Sequence, residues 1–513
     1  MANIKFGTDG WRAVIGEDFV SENVEIVTNA IGKYVADEFG LEKKILVGYD
    51  PRNRAKSFAT QCAELLACTG FEVFLSDAVL PTPVLAYGAK IMNACAIMFT
   101  ASHNPPEYLG MKFIPDYAGP ATSEITDAIV ANLGKRSKPT GTGVVHMFDF
   151  KPKYFEHMKE LIDFNAIKKG TENGIKIIFD GLYSASIGYF DKFLDEFSIP
   201  YDSFHMQHDP NFGGGMPEPK PKYLTELIDL VKAKGKGQRA KCHCEEGKPD
   251  EAIQASNLPE EFSASQLLSS SPKDCSPSTV YRSLGAVGMA NDGDGDRFGV
   301  INENGEYVSP NEIIAILLMY LKNNKKMQGC LVKTVGASLL LDKVAQKLDV
   351  EVVETAVGFK HVGEAMREFN PIIGGEESGG LSIQGHIPEK DGILANLLIL
   401  EVMSVKGKSL VELQQELYDF AGAKFYNELV NLKLETCEQV KRALVHAKNM
   451  QEVDGFKVIK TDLKDGVKLY LEDNSSWILV RPSGTEPLLR IYFESDSLEK
   501  IEKLKEFFLK QIN

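Results

Sequence analysis

Positive charge is scarce in this 513-residue chain: 57 lysines and arginines face 72 aspartates and glutamates, a formal net charge of −15. Such a surface repels a polyphosphate backbone, so no nucleic-acid partner is expected. A small anion is not excluded, because charges more than about 8 Å apart are largely screened and a few local cations decide. Long apolar runs are missing as well. None reaches the roughly 18 residues of a membrane-crossing helix, so no membrane partner is expected. Met1 to Trp11 is polar, contains Asp9 and offers no apolar core of a secretory signal. The eight cysteines are scattered through a long chain. They read as free thiols in a reducing cytoplasm rather than a disulfide framework. Two catalytic motifs are absent. There is no G-x-S-x-G elbow of a serine hydrolase, and Gly407-Lys408-Ser409 lacks the upstream glycine of a P-loop, since position 402 is Val402.

What is present is an ordinary globular composition, long enough for roughly three or four domains. Lys44–Tyr49, Phe71–Leu75 and Cys95–Phe99 are buried-strand runs, and Phe58–Cys68 has helical spacing between the first two. This alternation predicts parallel βα units. It restarts at Ile175–Phe179, followed by a helix-like Ser184–Phe197. It restarts again near Pro310, with an apolar helix over Glu312–Leu321 and a strand at Leu331–Lys333. The last ninety or so residues carry short strands at Lys468–Leu471 and Trp477–Val480, then a charged helix from Ser497 onward. They predict a smaller α+β domain. Between about Gly235 and Leu284 both periodicities fade into serine- and proline-rich sequence. Cys242-His243-Cys244 and Cys275 lie there, but the spacing is tighter than a zinc site's Cys-x2-4-Cys and no second pair exists.

The most informative run is Asp292-Gly293-Asp294-Gly295-Asp296-Arg297. Alternate residues on a strand-to-loop turn face one side, so the three acids can converge. Three converging carboxylates need a hard divalent cation with oxygen ligands. Arg297 beside such an ion suggests a phosphate. An EF-hand also places acids at the first, third and fifth positions, and Glu303 falls at the twelfth. It requires glycine at the sixth, however, where this chain has Arg297. The flanks Ala286–Ala290 and Phe298–Ile301 read as strands rather than helices, with Asn304-Gly305 as a hairpin turn.

Three further loops follow apolar strands. Thr100-Ala101-Ser102-His103-Asn104-Pro105 sits at the carboxyl end of a strand, where open α/β sheets bind ligands. Ser102 beside His103 is not read as an activated pair, because adjacent residues do not normally form such a dyad. Gly374-Gly375-Glu376-Glu377-Ser378-Gly379-Gly380 presents a carboxylate and a hydroxyl suited to vicinal sugar hydroxyls. Arg481-Pro482-Ser483-Gly484-Thr485-Glu486-Pro487 combines an arginine fork with a Ser-Gly-Thr turn that can cradle an anion. One loop for a metal, one for a nucleophile, one for a sugar and one for a phosphate make sense together in a cleft between domains.

This set resembles the α-D-phosphohexomutase family, the phosphoglucomutases, phosphomannomutases and their relatives. The likeness runs over nearly the whole chain: Gly7-Thr8-Asp9-Gly10-Trp11-Arg12, Thr100–Pro105, Asp292–Arg297, Val357-Gly358-Phe359-Lys360, Gly375–Gly380 and Arg481–Pro487, in family order. The resemblance implies an α/β fold of four domains around a central cleft, three similar mixed-sheet units and a smaller C-terminal α+β unit. The expected divisions are 1–150, 151–308, 309–420 and 421–513, with the atypical insertion at about 235–284. It implies a phosphate on Ser102 that passes to a hexose phosphate, giving a hexose 1,6-bisphosphate that turns over and returns its other phosphate. Mg2+ would be held by Asp292, Asp294, Asp296 and the Ser102 phosphate. Arg12 and Lys112 would flank the transferring phosphate, and His103 and Lys360 are the candidates for moving the sugar hydroxyl's proton. Arg297, Glu376 and Ser378 would contact the sugar. Arg481, Ser483, Gly484 and Thr485 would hold the other phosphate.

Glu-Glu-Ser-Gly-Gly at 376–380 resembles the phosphoglucomutase and dual glucose/mannose branches. Phosphoglucosamine mutases usually show Glu-Gln-Ser-Gly-His, and Glu377 departs from that. Glucose phosphates are the first expectation and mannose phosphates the second. The rival of another class is a silent relative that binds sugar phosphates without turnover. The insertion ends a few residues before Asp292. Added loop length costs little closure entropy, about 0.6 kcal/mol per doubling, so the fold is expected to survive it.

Overall fold

The computed structural model describes residues 4–7, 10–135, 141, 143–235, 284–483 and 487–512. The expectation of an insertion, with Cys242, His243, Cys244 and Cys275, falls almost wholly outside them, as do Thr8, Asp9, Gly484 and Thr485. Four sheets organise the chain. They form four domains around a central cleft, three of mixed α/β build and a β-rich C-terminal one.

The first sheet has a parallel run of Cys95–Phe99, Ile45–Tyr49, Glu72–Ser76 and, at one edge, Val144–Phe148. Cys95–Phe99 and Ile45–Tyr49 are buried along their whole length, as strands covered by helices on both faces must be. Tyr108–Ile114 then pairs antiparallel with Cys95–Phe99, and Gly10–Val14 extends that edge. The second sheet repeats the plan on a smaller scale. Tyr201–Phe204, Ile175–Asp180 and Gly285–Asn291 run parallel, and Phe298–Ile301 turns back against the last. The third does so again with Val352–Thr355, Leu331–Thr334 and Ile373–Glu376, followed by antiparallel Gly380–Ile383. In all three, one loop joins the last parallel strand to its antiparallel neighbour. Those loops are residues 100–107, 292–297 and 377–379. The fourth sheet is antiparallel, and its 483–487 connection joins Trp477–Pro482 to Leu488–Ser495.

The ends of the 236–283 stretch meet. A β-carbon on Gly235 would lie 2.5 Å from the Glu303 carbonyl oxygen, and one on Gly285 2.8 Å from the Glu303 side chain. Helix Thr225–Gly235 packs Leu227 and Val231 with Ala286 and Ala290 of the strand that leads to Asp292. The strand that carries the acidic loop keeps its place in the sheet, parallel to Ile175–Asp180 and antiparallel to Phe298–Ile301. Helix Gly392–Lys406 is buried through twelve consecutive residues, Gly392 to Met403, all apolar but Asn396 and Glu401, as a helix inside a large core must be. Among the described residues, Cys62, Cys68, Cys95, Cys330 and Cys437 are free, and no helix is long and apolar enough to cross a membrane.

The C-terminal unit is anchored on the third by buried polar groups. Trp477 is fully buried beside Val335, and its indole N–H donates to Glu494 Oε1 at 2.6 Å. The same oxygen accepts the Leu339 amide at 2.8 Å. Lys468 lies 4.1 Å over the Trp477 ring and donates to the Val335 carbonyl at 2.7 Å. Burial, reinforced by Lys333, brings its ammonium down to about 8. Trp477→Ala removes the packing and one of the donors to a buried carboxylate. It is expected to cost about 3–5 kcal/mol, read in calorimetry as a C-terminal transition that falls below that of the other units.

Candidate active site

The acidic loop begins where the buried strand Gly285–Asn291 ends. Gly295, at φ 72°, makes a turn that a β-carbon would strain. Asp292, Asp294 and Asp296 are at most 2% exposed, and one carboxylate oxygen from each lies within 4.8 Å of the others. Asp292 Oδ1 accepts the Arg297 amide at 3.0 Å. Asp294 Oδ2 accepts the Thr82 hydroxyl at 2.6 Å, a contact 212 residues apart in sequence. Asp296 Oδ2 faces the ammonium groups of Lys390 at 3.1 Å and Lys112 at 3.6 Å. Asp294 Oδ1 and Asp296 Oδ1 are buried with no hydrogen-bond donor.

The electrostatics follow. Burial, then the charges of Asp294 and Asp296, push Asp292 well above the ordinary carboxylate range. Burial and Asp296 raise Asp294. Burial alone would raise Asp296 too, but Lys390, Lys112 and Arg297 outweigh it and hold that carboxyl low. Three buried acids cannot all be ionised side by side without compensating charge. An all-oxygen donor set with two orphaned carboxylate oxygens is what a hard divalent cation requires.

The nucleophile candidate is brought to this cluster from the first domain. Ser102 is 4% exposed and its hydroxyl donates to Asp292 Oδ2 at 2.7 Å. Its backbone is left-handed, φ 51°, and its amide donates to Thr100 Oγ1 at 2.8 Å. In that conformation Ser102 Oγ also lies 3.2 Å from His103 Nδ1, so the two neighbours do contact, against the expectation from sequence. Burial, then Arg297 and Arg12, depress His103 to about 2, which leaves the imidazole neutral at physiological pH. Arg12 donates to Asn104 Oδ1 at 2.7 Å, and Lys112 pairs with the buried Glu389 at 2.9 Å.

Glu376 is buried, and its carboxylate accepts the Ser378 hydroxyl. Burial raises it, while Lys390 and Arg297 pull it back, so the sugar-loop candidate shares its field with the acidic loop. Glu377 faces elsewhere and accepts the Thr334 hydroxyl at 2.6 Å. Two candidates stand apart from the Ser102–Asp292 contact. Lys360, on helix Phe359–Phe369, donates to Ser123 of the first domain at 2.9 Å. Arg481 grips Asp465 through Nε and Nη2 at 2.9 and 2.8 Å, and Asp465 also accepts the Val357 amide at 2.9 Å. The Ser483 amide donates to the Leu488 carbonyl at 2.8 Å.

Reading the sequence missed Thr82, Glu389, Lys390 and Arg52. Arg52 could have been found from its place, three residues past the end of a fully buried strand. Glu389-Lys390-Asp391, charged residues placed directly before an apolar helix, carried a weaker signal.

Fold and site together define a multidomain α/β protein that joins a serine hydroxyl to a buried acidic cluster. Four family models match it in order: phosphoglucomutase/phosphomannomutase alpha/beta/alpha domain I over residues 3–140, domain II over 152–243, domain III over 309–420 and the C-terminal domain over 429–511. The chain belongs to the phosphoglucomutase/phosphomannomutase family, hexose-phosphate mutases that act as intramolecular phosphotransferases. A Thermococcus kodakarensis protein described as phosphoglucomutase/phosphomannomutase is 28% identical over 98% of this chain and 97% of its own. The phosphoglucosamine mutase of Listeria monocytogenes is 27% identical over 97% and 95%. A crystal structure from Thermus thermophilus, provisionally described as a phosphomannomutase, superposes with a TM-score of 0.79 at 28% identity, covering 99% of both chains. The Paramecium phosphoglucomutase parafusin shares the fold, with a TM-score of 0.75 at 21% identity over 100% and 94%.

Proposed function

We propose that this chain interconverts glucose 1-phosphate and glucose 6-phosphate through a phosphorylated Ser102 and a hexose 1,6-bisphosphate, with mannose phosphates as second substrates. The observation that carries the reading is the 2.7 Å hydrogen bond from the Ser102 hydroxyl to Asp292, between two domains. Phosphoryl transfer needs positioning and charge neutralisation more than covalent help. Asp292, Asp294 and Asp296 would hold Mg2+, which, when bound, neutralises charge on the transferring phosphoryl group.

Ser102 gives up its phosphoryl group to a sugar hydroxyl as the Oγ–P bond breaks and the new O–P bond forms. On the return step Oγ takes the other phosphate as that sugar O–P bond breaks, and the proton lost by Ser102 ends on the departing sugar oxygen. Arg12 and Lys112 balance charge beside the nucleophile. His103, a neutral imidazole, and Lys360 remain the two candidates for the sugar proton. Glu376 and Ser378 hold sugar hydroxyls, with Arg297 beside them. Arg481, Ser483, Gly484 and Thr485 grip the phosphate that stays. Arg481 must exchange Asp465 for that phosphate, which makes it a planar fork already aimed at an anion.

The Glu376-Glu377-Ser378-Gly379-Gly380 loop, with Glu377 where the glucosamine branch usually carries glutamine, is what supports a hexose over a hexosamine. The deciding assay compares kcat/KM for the 1-phosphates of glucose, mannose and glucosamine with Mg2+ and a bisphosphate primer. Glucose is expected to lead and mannose to follow, because the two sugars differ only in the configuration of the C2 hydroxyl. A lead for glucosamine 1-phosphate overturns the substrate assignment. Binding of all three without turnover identifies a silent relative.

A further inference from the structure

Arg52 has no role in the chemistry above, yet it is built into the nucleophile's support. It lies just past strand Ile45–Tyr49 and is 3% exposed. Its Nη2 donates to the carbonyls of Ser102 and Asn104 at 2.6 and 2.7 Å. Its Nη1 donates to those of Pro105 and Tyr108 at 2.6 and 3.0 Å. Its Nε donates to Asp50 Oδ2 at 3.2 Å. All five guanidinium N–H groups are thereby committed.

The support is itself fixed. Asp50 is 1% exposed, and its Oδ1 accepts the Arg52 amide at 3.0 Å. Thr100 hydrogen-bonds Asp50 and, through its hydroxyl oxygen, accepts the Ser102 amide. Phe212 of the second domain lies 4.9 Å over the guanidinium. A β-carbon on Gly293 would sit 2.6 Å from the Ser102 carbonyl oxygen and 3.4 Å from the Phe212 ring. The carbonyl that Arg52 holds is therefore the one against which the acidic loop packs. A left-handed serine persists only where its surroundings over-determine it, and Arg52 supplies that constraint from below.

We propose that Arg52 is a positioning residue for phosphoryl transfer, clamping the 102–108 carbonyls so that Ser102 Oγ meets the acidic loop at one fixed separation. The proposal rests on the phosphoserine reading. Purely structural carbonyl satisfaction would predict lost stability with kcat intact in whatever protein still folds. Positioning predicts lost kcat in folded protein.

Arg52→Lys keeps the charge but offers three donors on a flexible stem. In folded Arg52→Lys, kcat is expected to fall by about 100-fold, the scale of an ångström-sized misplacement, with KM little changed. Arg52→Gly is expected to regain activity when methylguanidinium is added. Asp50→Asn, which leaves the guanidinium but loosens its anchor, is expected to lose about tenfold in kcat, and it decides the matter if Arg52→Lys does not fold. A kcat within about threefold of wild type in folded Arg52→Lys, or in Asp50→Asn if that variant has to decide, overturns the role. So does a loss expressed wholly in KM. Wild-type turnover measured in parallel separates the two ideas. Its absence sinks the mutase reading and this role with it, whereas an active wild type with a fully active Arg52→Lys sinks the role alone.

Discussion

Ser102→Ala is expected to abolish mutase turnover, by about 10^4-fold or more, the scale seen when a covalent catalyst loses its nucleophile. The substitution removes one oxygen that has two contacts, Asp292 Oδ2 at 2.7 Å and His103 Nδ1 at 3.2 Å. The left-handed backbone at position 102 is no more strained for alanine than for serine, so the variant should fold and still bind sugar phosphate. Two measurements check this. Intact mass after incubation with glucose 1,6-bisphosphate should show a phosphorylated wild type and an unmodified variant. Calorimetry should show similar unfolding temperatures. Undiminished turnover in the variant ends the phosphoserine mechanism.

The strands and the four loops were legible because a buried parallel strand is apolar throughout, and the loop at its carboxyl end is then conspicuously polar. Cys95–Phe99 followed by Thr100–Pro105 is the clearest case. The three-fold repeat of that plan was legible for the same reason. What stayed hidden was what only three-dimensional neighbours decide. Thr82 looks like an ordinary helix-start residue until its hydroxyl is seen on Asp294. The helix expected over Ser184–Phe197 forms only at Phe190–Glu196. The residues before it spend their backbone groups elsewhere: the Leu182 amide on Asp180, the Ala185 amide on the Gly293 carbonyl, with Leu182 and Tyr183 left-handed. Helical spacing there records burial against the acidic loop rather than a helix. The Ser102–His103 contact escaped because the rule against adjacent dyads assumes ordinary backbone, and φ at Ser102 is positive.

Chelating the cation should be the second large effect, and it can be read without an activity assay. Burial and mutual repulsion raise Asp292 and Asp294 above the ordinary aspartate value of 3.8 in the ion-free protein. A group raised in the folded state makes folding less favourable as pH climbs from its unfolded value through its folded one. The ion-free protein should therefore lose stability over that window as pH rises. Asp296, held low by Lys390, Lys112 and Arg297 against its burial, acts oppositely: its contribution is present above the ordinary value and is lost as pH falls through its depressed one. Adding Mg2+ at a hundred times its Kd should restore about 2.7 kcal/mol, seen as a rise in unfolding temperature that EDTA reverses. Because the ion needs deprotonated ligands, binding should release protons and weaken as pH falls. Calorimetry in buffers of different ionisation enthalpy detects that release. Asp294→Asn removes a ligand charge and one source of repulsion. It should stabilise the ion-free protein at neutral pH while weakening Mg2+ binding by about 100-fold or more, and Thr82→Val, which only unties Asp294, by about 10–100-fold. An unfolding temperature indifferent to Mg2+ in the wild type, or Asp294→Asn binding as tightly as wild type, removes the ion from this loop and with it the reason three aspartates are buried side by side.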